Sequence, residues 1–165
     1  MRIWLAALGL SALFTSASAT AQAQQEPTLE FAFEEIVTLG QALSPGDTAQ
    51  GGRLIIPITG GTFEGPGIKG VIVPGGWDWQ LRRTDGCTEV EADYFLRTDD
   101  DVLINIVNKG VICMGEGAGP VRTHPVFEAP KGKYDWLSKN AFVGTLELAP
   151  PEHGPAVKIR IFRVR

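Results

Sequence analysis

The chain has 165 residues, 19 of them acidic and 15 basic, for a formal net charge of −4 at neutral pH. The basic residues form no dense cluster, which leaves a nucleic-acid surface without support. Its 20 glycines and 11 prolines suit many turns between short strands.

The first residues read as an address. Arg2 is followed by an apolar run over 3–14 and by small residues up to Ala23, the pattern of a secretory signal peptide over residues 1–23. Ala-Thr-Ala (19–21) and Ala-Gln-Ala (21–23) both fit the small-x-small rule. Cleavage is expected after Ala23, with Ala21 the other option. The apolar run falls short of the roughly 20 residues a spanning helix needs, and no later segment reaches that length. One domain, residues 24–165, is then expected in the periplasm or outside the cell.

Along that domain, residues 28–39 read as a strand and 53–59 as a second, with Pro57 marking an edge or a bulge. A third, 62–73, is bent or split at Gly65-Pro66-Gly67. Segments 77–84, 87–98 and 102–111 follow, then a glycine-rich loop over 115–120 and an extended stretch over 121–127. The one helical turn is placed around 134–137. Strands 141–148 and 157–164 close the chain. Nine or ten short strands and almost no helix predict an all-β fold, a single-domain, mostly antiparallel β-barrel that is closed or nearly closed. A two-sheet sandwich is the alternative.

Register follows from the strict alternation between Trp77 and Cys113. With Asp85-Gly86 as a two-residue turn, Leu81 faces Val90, Trp79 faces Ala92 and Trp77 faces Tyr94 on the inner side, while Arg82 meets Glu89 outside. A three-residue turn would instead bring Asp78 and Gln80 inward and turn both tryptophans out. The two-residue register sets Asp78 against Asp93, a repulsive pair. The second turn, Asp99-Asp100-Asp101, sets Leu96 opposite Ile104, Tyr94 opposite Ile106 and Ala92 opposite Asn108. It also sets Cys87 opposite Cys113, within disulfide range at about 4.5–5.5 Å between Cα atoms. An exported protein can keep such a bond; in a reducing compartment the two would be separate thiols.

Several stretches resemble one family, the domain-of-unknown-function 3237 group, also called uncharacterised protein family 0311. They are Ile58-Thr59-Gly60-Gly61-Thr62, Gly65-Pro66, Gly75-Gly76-Trp77-Asp78-Trp79-Gln80 and Tyr94-x-Leu96-Arg97-Thr98-Asp99-Asp100, then Asn108-x-Gly110, Phe127-Glu128 and Tyr134-x-Trp136-Leu137. The resemblance implies a compact, mostly antiparallel β-barrel. It implies little about chemistry, although some fungal members look like cyclases of small polycyclic metabolites. Asp93 stands where the family usually has Arg, which removes the usual partner of Asp78. The 115–120 loop is shorter than the family's, and the leader and two cysteines are unlike the common cytoplasmic members.

Two carboxylates are candidate catalytic residues. Asp78, beside two tryptophans, has the surroundings of an acid or base with a raised pKa; it also fits an Asp that caps backbone N–H groups after Gly75-Gly76. Glu35 shares a face with Leu29, Phe31, Phe33, Val37 and Leu39 by alternation, but a bulge at Glu34-Glu35 is expected to turn it outward. Trp77, Trp79, Tyr94 and Asn108 are the candidate ligand-binding residues, against the plainer role of core mass for the tryptophans and internal hydrogen bonding for Tyr94 and Asn108. His124 and His153 have no second ligand at metal spacing, the three aspartates lack calcium-loop spacing, and Gly115-x-Gly117-x-Gly119 precedes no helix. No metal and no cofactor is expected.

The leading expectation is an exported barrel that binds a small apolar or aromatic molecule. The alternatives are a lyase or cyclase that uses Asp78 or Glu35 as acid–base, and a non-catalytic envelope module that docks another protein. An interior cavity of about 300 Å³ or more would favour the first two.

Overall fold

The structure, a computed structural model, describes residues 25–115 and 119–165. The expected signal peptide and the middle of the glycine-rich loop lie outside the described residues. Among those residues, alternation of apolar and polar side chains carries into nine strands. They are β1 (Leu29–Leu39), β2 (Leu43–Thr48), β3 (Gly51–Gly65), β4 (Ile68–Arg82), β5 (Thr88–Thr98), β6 (Leu103–Ile112), β7 (Arg122–Glu128), β8 (Phe142–Leu148) and β9 (Ala156–Val164). Every pairing is antiparallel, in the order β1-β9-β8-β7-β6-β5-β4-β3. A further ladder between β1 and β3 closes eight of them into a barrel. Closure removes the open sheet edges that would otherwise invite pairing with other chains. The exposed β2 pairs with β3 alone, outside the ring.

Over 53–84 the expected split at Gly65-Pro66-Gly67 is present, while the other strand boundaries differ from expectation. Gly65-Pro66-Gly67 is the hairpin turn itself, so residues on its two sides belong to different strands, β3 and β4. Conversely, Gly60-Gly61 and Pro74-Gly75-Gly76, which resemble turns, are bulges inside long strands. Val73 pairs with Phe95 and Trp77 with Asp93, which leaves three residues of β4 opposite Tyr94 alone. Such insertions bend a strand around a barrel corner without breaking its ladder. Pro57 lies in β3 between its pairing with β2 at Ile55 and with β1 at Ile58.

The core runs through most of the barrel. Phe33, Leu96, Ile104, Ile106 and Ile161 are fully buried. Phe127 meets Phe33 and Phe142 edge to face, at 5.9 and 5.0 Å between ring centres. One end is plugged by Tyr134 and Leu137, from the turn that leads into a short 3₁₀ helix, Leu137–Lys139. The acidic 99–101 turn secures that plug. Asp100 accepts hydrogen bonds from the hydroxyls of Tyr134 (2.8 Å) and Thr98 (2.6 Å) and from the ammonium of Lys133 (2.8 Å).

Of the two predicted hairpin registers, one stands and one is corrected. In the β5–β6 pair Leu96 faces Ile104, Tyr94 faces Ile106 and Ala92 faces Asn108. Just beyond its end Cys87 and Cys113 form a disulfide, with 4.3 Å between Cα atoms. In the β4–β5 pair the register is one residue off from expectation. Asp78 faces Ala92, Trp79 faces Glu91 and Trp77 faces Asp93. The cause is the turn. Arg83 donates its N–H to the Cys87 carbonyl and Gly86 donates to the Arg83 carbonyl, with Gly86 at φ +85°. Thr84-Asp85-Gly86 is therefore a three-residue loop that ends on a left-handed glycine, one of the common hairpin connections. Because side chains alternate, the slip exchanges the two faces of β4.

Candidate active site in the barrel interior

At the end of the barrel that carries the Asp85-Gly86 turn, the interior is hollow. A cavity of about 80 Å³ lies among Val37, Asp78, Ala92, Tyr94, Asn108 and Thr123. This falls short of the roughly 300 Å³ that would favour a ligand-binding or enzymatic barrel, and gives room for a few waters or a very small molecule. Gln80 lines the cavity as well, and the remaining walls are aliphatic, with Val90, Ile112, Leu146, Val157 and Ile159 around them.

Asp78 reaches the cavity because the three-residue turn points it inward. Its Oδ2 accepts a hydrogen bond from Gln80 Nε2 at 2.7 Å, and no backbone N–H caps it, contrary to the plainer expectation. Its Oδ1 is buried with no partner. Burial raises its pKa, and the Gln80 hydrogen bond only partly opposes that. Asp93 stays on the outer face, where Asn105 donates to it at 2.7 Å, so the expected repulsion with Asp78 does not arise.

Glu35 is fully buried. The expected bulge at Glu34-Glu35 is corrected: β1 does bulge, but between Phe31 and Phe33. The displaced Phe31 packs against Phe162 and under the Arg160 guanidinium, while Phe33 and Glu35 keep the inner face. Tyr94 donates its hydroxyl to Glu35 Oε2 at 2.7 Å, and Glu35 Oε1 has no partner. Burial pushes the Glu35 carboxyl up to about 7 against the opposing pull of that hydrogen bond. The Tyr94 phenol is driven well above its usual value, first by burial and then by the Glu35 charge, so it stays a neutral hydroxyl. Tyr94 lines the cavity, and Glu35 stands behind it at the far end of that hydrogen bond.

The tryptophans lie elsewhere. Trp77 and Trp79 are 39% and 46% exposed on the outer face of β4, where they border a surface groove with Val73, Asp93 and Phe95. Trp136 packs on Phe142 and beneath Arg163 near the plugged end. Tyr94 and Asn108 occupy the inner face, as alternation predicts, at 1% and 3% exposure. Among the described residues no group of three His, Cys, Asp or Glu side chains converges as metal ligands, and no helix is long and apolar enough to cross a membrane.

A model of the family described as a protein of unknown function, DUF3237, matches residues 27–164. The chain belongs to the DUF3237 family. Among DUF3237 relatives, a UPF0311 protein of Rhodopseudomonas palustris is 35% identical over 135 residues, which cover 72% of this chain and 88% of that one. A β-barrel-like protein of Acinetobacter baumannii superposes with a TM-score of 0.77 at 30% identity, covering 87% of this chain and all of the other. A protein of Penicillium herquei named as a hydroalkoxylation enzyme is 28% identical over 119 residues, 72% of this chain and 74% of its own.

Two residues of this DUF3237 site, Gln80 and Thr123, escaped the sequence reading. Gln80 was hidden by the mistaken turn. Thr123 was within reach, since alternation over 121–127 puts Thr123, Pro125 and Phe127 on one face. Its hydroxyl is buried without a partner in a notch formed by flanking glycines, where a Cβ on Gly144 would overlap it and one on Gly110 would come within 2.9 Å of its methyl group.

Proposed function

We propose that the protein is an acid–base enzyme of the lyase or cyclase kind, acting on a compact, largely apolar molecule held in the barrel interior. One observation carries this reading: two carboxylates with raised pKa values stand at one apolar cavity, one directly and one through Tyr94. Burying such groups costs stability, and structures retain that cost chiefly at functional sites. The hydroalkoxylation activity in the name of the Penicillium herquei relative supports one reaction class, addition of an O–H across a C=C bond.

In that reaction Asp78, ionised, takes the proton from the substrate hydroxyl as its oxygen bonds to one alkene carbon. Tyr94 gives its proton to the other carbon, and protonated Glu35 restores the Tyr94 hydroxyl. The cycle leaves Asp78 protonated and Glu35 ionised, and exchange with water resets both. A leader over residues 1–23 and the Cys87–Cys113 disulfide support export to the periplasm or exterior. Ligand binding without turnover is the second reading, favoured by the aliphatic lining.

The test is ring closure of small alkenyl alcohols and alkenyl phenols, followed by NMR. Asp78→Asn is expected to lower turnover about 10²- to 10⁴-fold. Wild-type rate is expected to fall as pH rises through about 7, where Glu35 loses its proton, and Glu35→Gln to lose that limb of the profile. Ring closure no faster than in buffer across the panel, or undiminished in Asp78→Asn, would discard the enzyme reading.

A further inference from the structure

Of the five buried side-chain atoms without a hydrogen-bond partner among the described residues, three belong to residues that line this one cavity: Asp78 Oδ1, Asn108 Oδ1 and Thr123 Oγ1. All three are oxygens able to accept. Asn108 and Thr123 are 3% and 4% exposed, so bulk water does not satisfy them. A fully buried unpaired acceptor is unfavourable, and a bound group that donates a hydrogen bond removes the penalty.

Their arrangement is set by the ladder. Asp78 on β4, Ala92 on β5 and Asn108 on β6 form one cross-strand row, and Thr123 on β7 is paired with Gly110, one pleat along from Asn108. Neighbouring strands lie about 4.8 Å apart, so the Cα atoms of Asp78 and Asn108 are separated by roughly 10 Å. Ala92 stands between them with only a methyl group, which leaves the space the cavity occupies. The acceptors thus stand on opposed sides of a small apolar floor.

We infer that the interior site takes a neutral, compact molecule bearing two hydroxyl groups, one donating to Asp78 and the other to Asn108 and Thr123. The other polar side chains of the wall, Gln80 and Tyr94, already donate to Asp78 and Glu35. Anionic ligands are disfavoured, because Asp78 brings negative charge to the cavity wall and no cationic side chain lines it. This deepens the acid–base reading of the same cavity and rests on it for the choice of site, while its test reads binding alone.

The full chain is titrated with resorcinol, phenol, toluene and benzoate, and binding is followed by NMR shifts of the interior methyl groups. Resorcinol is expected to bind at least tenfold more tightly than phenol, with toluene and benzoate weaker still. Thr123→Val keeps the shape and removes the hydroxyl, and the resorcinol-to-phenol ratio is expected to fall several-fold toward one. Ala92→Leu fills the floor and is expected to abolish binding of both, with a thermal melt confirming that each variant is folded. Equal affinity for resorcinol and phenol, tightest binding of benzoate, an unchanged ratio in Thr123→Val, or full binding in Ala92→Leu would each overturn the inference. Ring closure that persists while resorcinol fails to bind overturns this inference alone. Resorcinol binding as described, with no turnover of any alkenyl alcohol, supports it and removes only the enzyme reading.

Discussion

Glu35 couples protonation to stability. Burial pushes its carboxyl up to about 7 in the folded chain, against an ordinary value of 4.5. Between those limits the folded chain holds a proton that the unfolded chain has released. Stability from this residue is therefore greatest below about pH 4.5, falls as pH rises toward 7, and is level beyond. The total is about 3 kcal/mol at 1.36 kcal/mol per pKa unit. Asp78 acts with the same sign. Surface carboxylates held below their usual values by cations, such as Asp135 beside Lys139 and Glu147 beside Lys158, act with the opposite sign. The clean measurement is therefore a difference. Urea unfolding of wild type and Glu35→Gln from pH 4.5 to 8 should show the variant gaining on wild type by up to about 3 kcal/mol as pH rises. Parallel curves would mean that Glu35 is not buried as an acid.

At the scale of elements, the bulges decide where side chains point, and glycine makes them possible. Gly61 has φ +132°, and a Cβ there would overlap the Ile36 carbonyl oxygen of β1. Gly67, in the β3–β4 turn, also has positive φ (+75°) but meets nothing within 4 Å. Gly67→Ala should cost about 1–2 kcal/mol from the backbone alone, and Gly61→Ala should cost clearly more, since backbone shift or overpacking adds about 1–3 kcal/mol. Equal losses by chemical denaturation would remove β1–β3 contact as the reason for the glycine. These positions also mark where reading the sequence succeeds and fails. Alternation from Thr88 to Ile112 is uninterrupted, so pairing around the 99–101 turn and the disulfide were legible. Gly60-Gly61 and Gly75-Gly76 carry the same local chemistry as turns, and only tertiary closure turns them into bulges. Asp85-Gly86 fits both a two-residue and a three-residue loop, and apolar matching favoured the wrong one because Trp77 and Trp79 are large. Asp78 was thus legible as a residue and not as a direction. The cost of burying Glu35 argued for an outward bulge, yet the fold keeps it inside, hydrogen-bonded to Tyr94.

Across the whole molecule, the two ends of the barrel are secured by different means. The end near Asp100 is filled by Tyr134 and Leu137. At the hollow end no such plug is found among the described residues, and there the Cys87–Cys113 bond ties the start of β5 to the end of β6, beside the cavity residues Val90 and Ile112. A cross-link spanning 26 positions removes loop-closure entropy from the unfolded chain worth about 3 kcal/mol. For a domain of this size that corresponds to roughly 10 °C in Tm. The closed ladder of eight strands leaves the fold itself intact when the bond is absent, so the Cys87→Ser/Cys113→Ser double variant should be folded, monophasic in melting and about 10 °C less stable. Because the bond braces the open end, the variant should also lose amide-exchange protection first around Val90 and Ile112, while Leu96 and Ile104 keep theirs. A Tm unchanged by the double substitution would show that the barrel supplies the bracing without the bond. Uniform loss of protection would show that the two ends unfold as one unit.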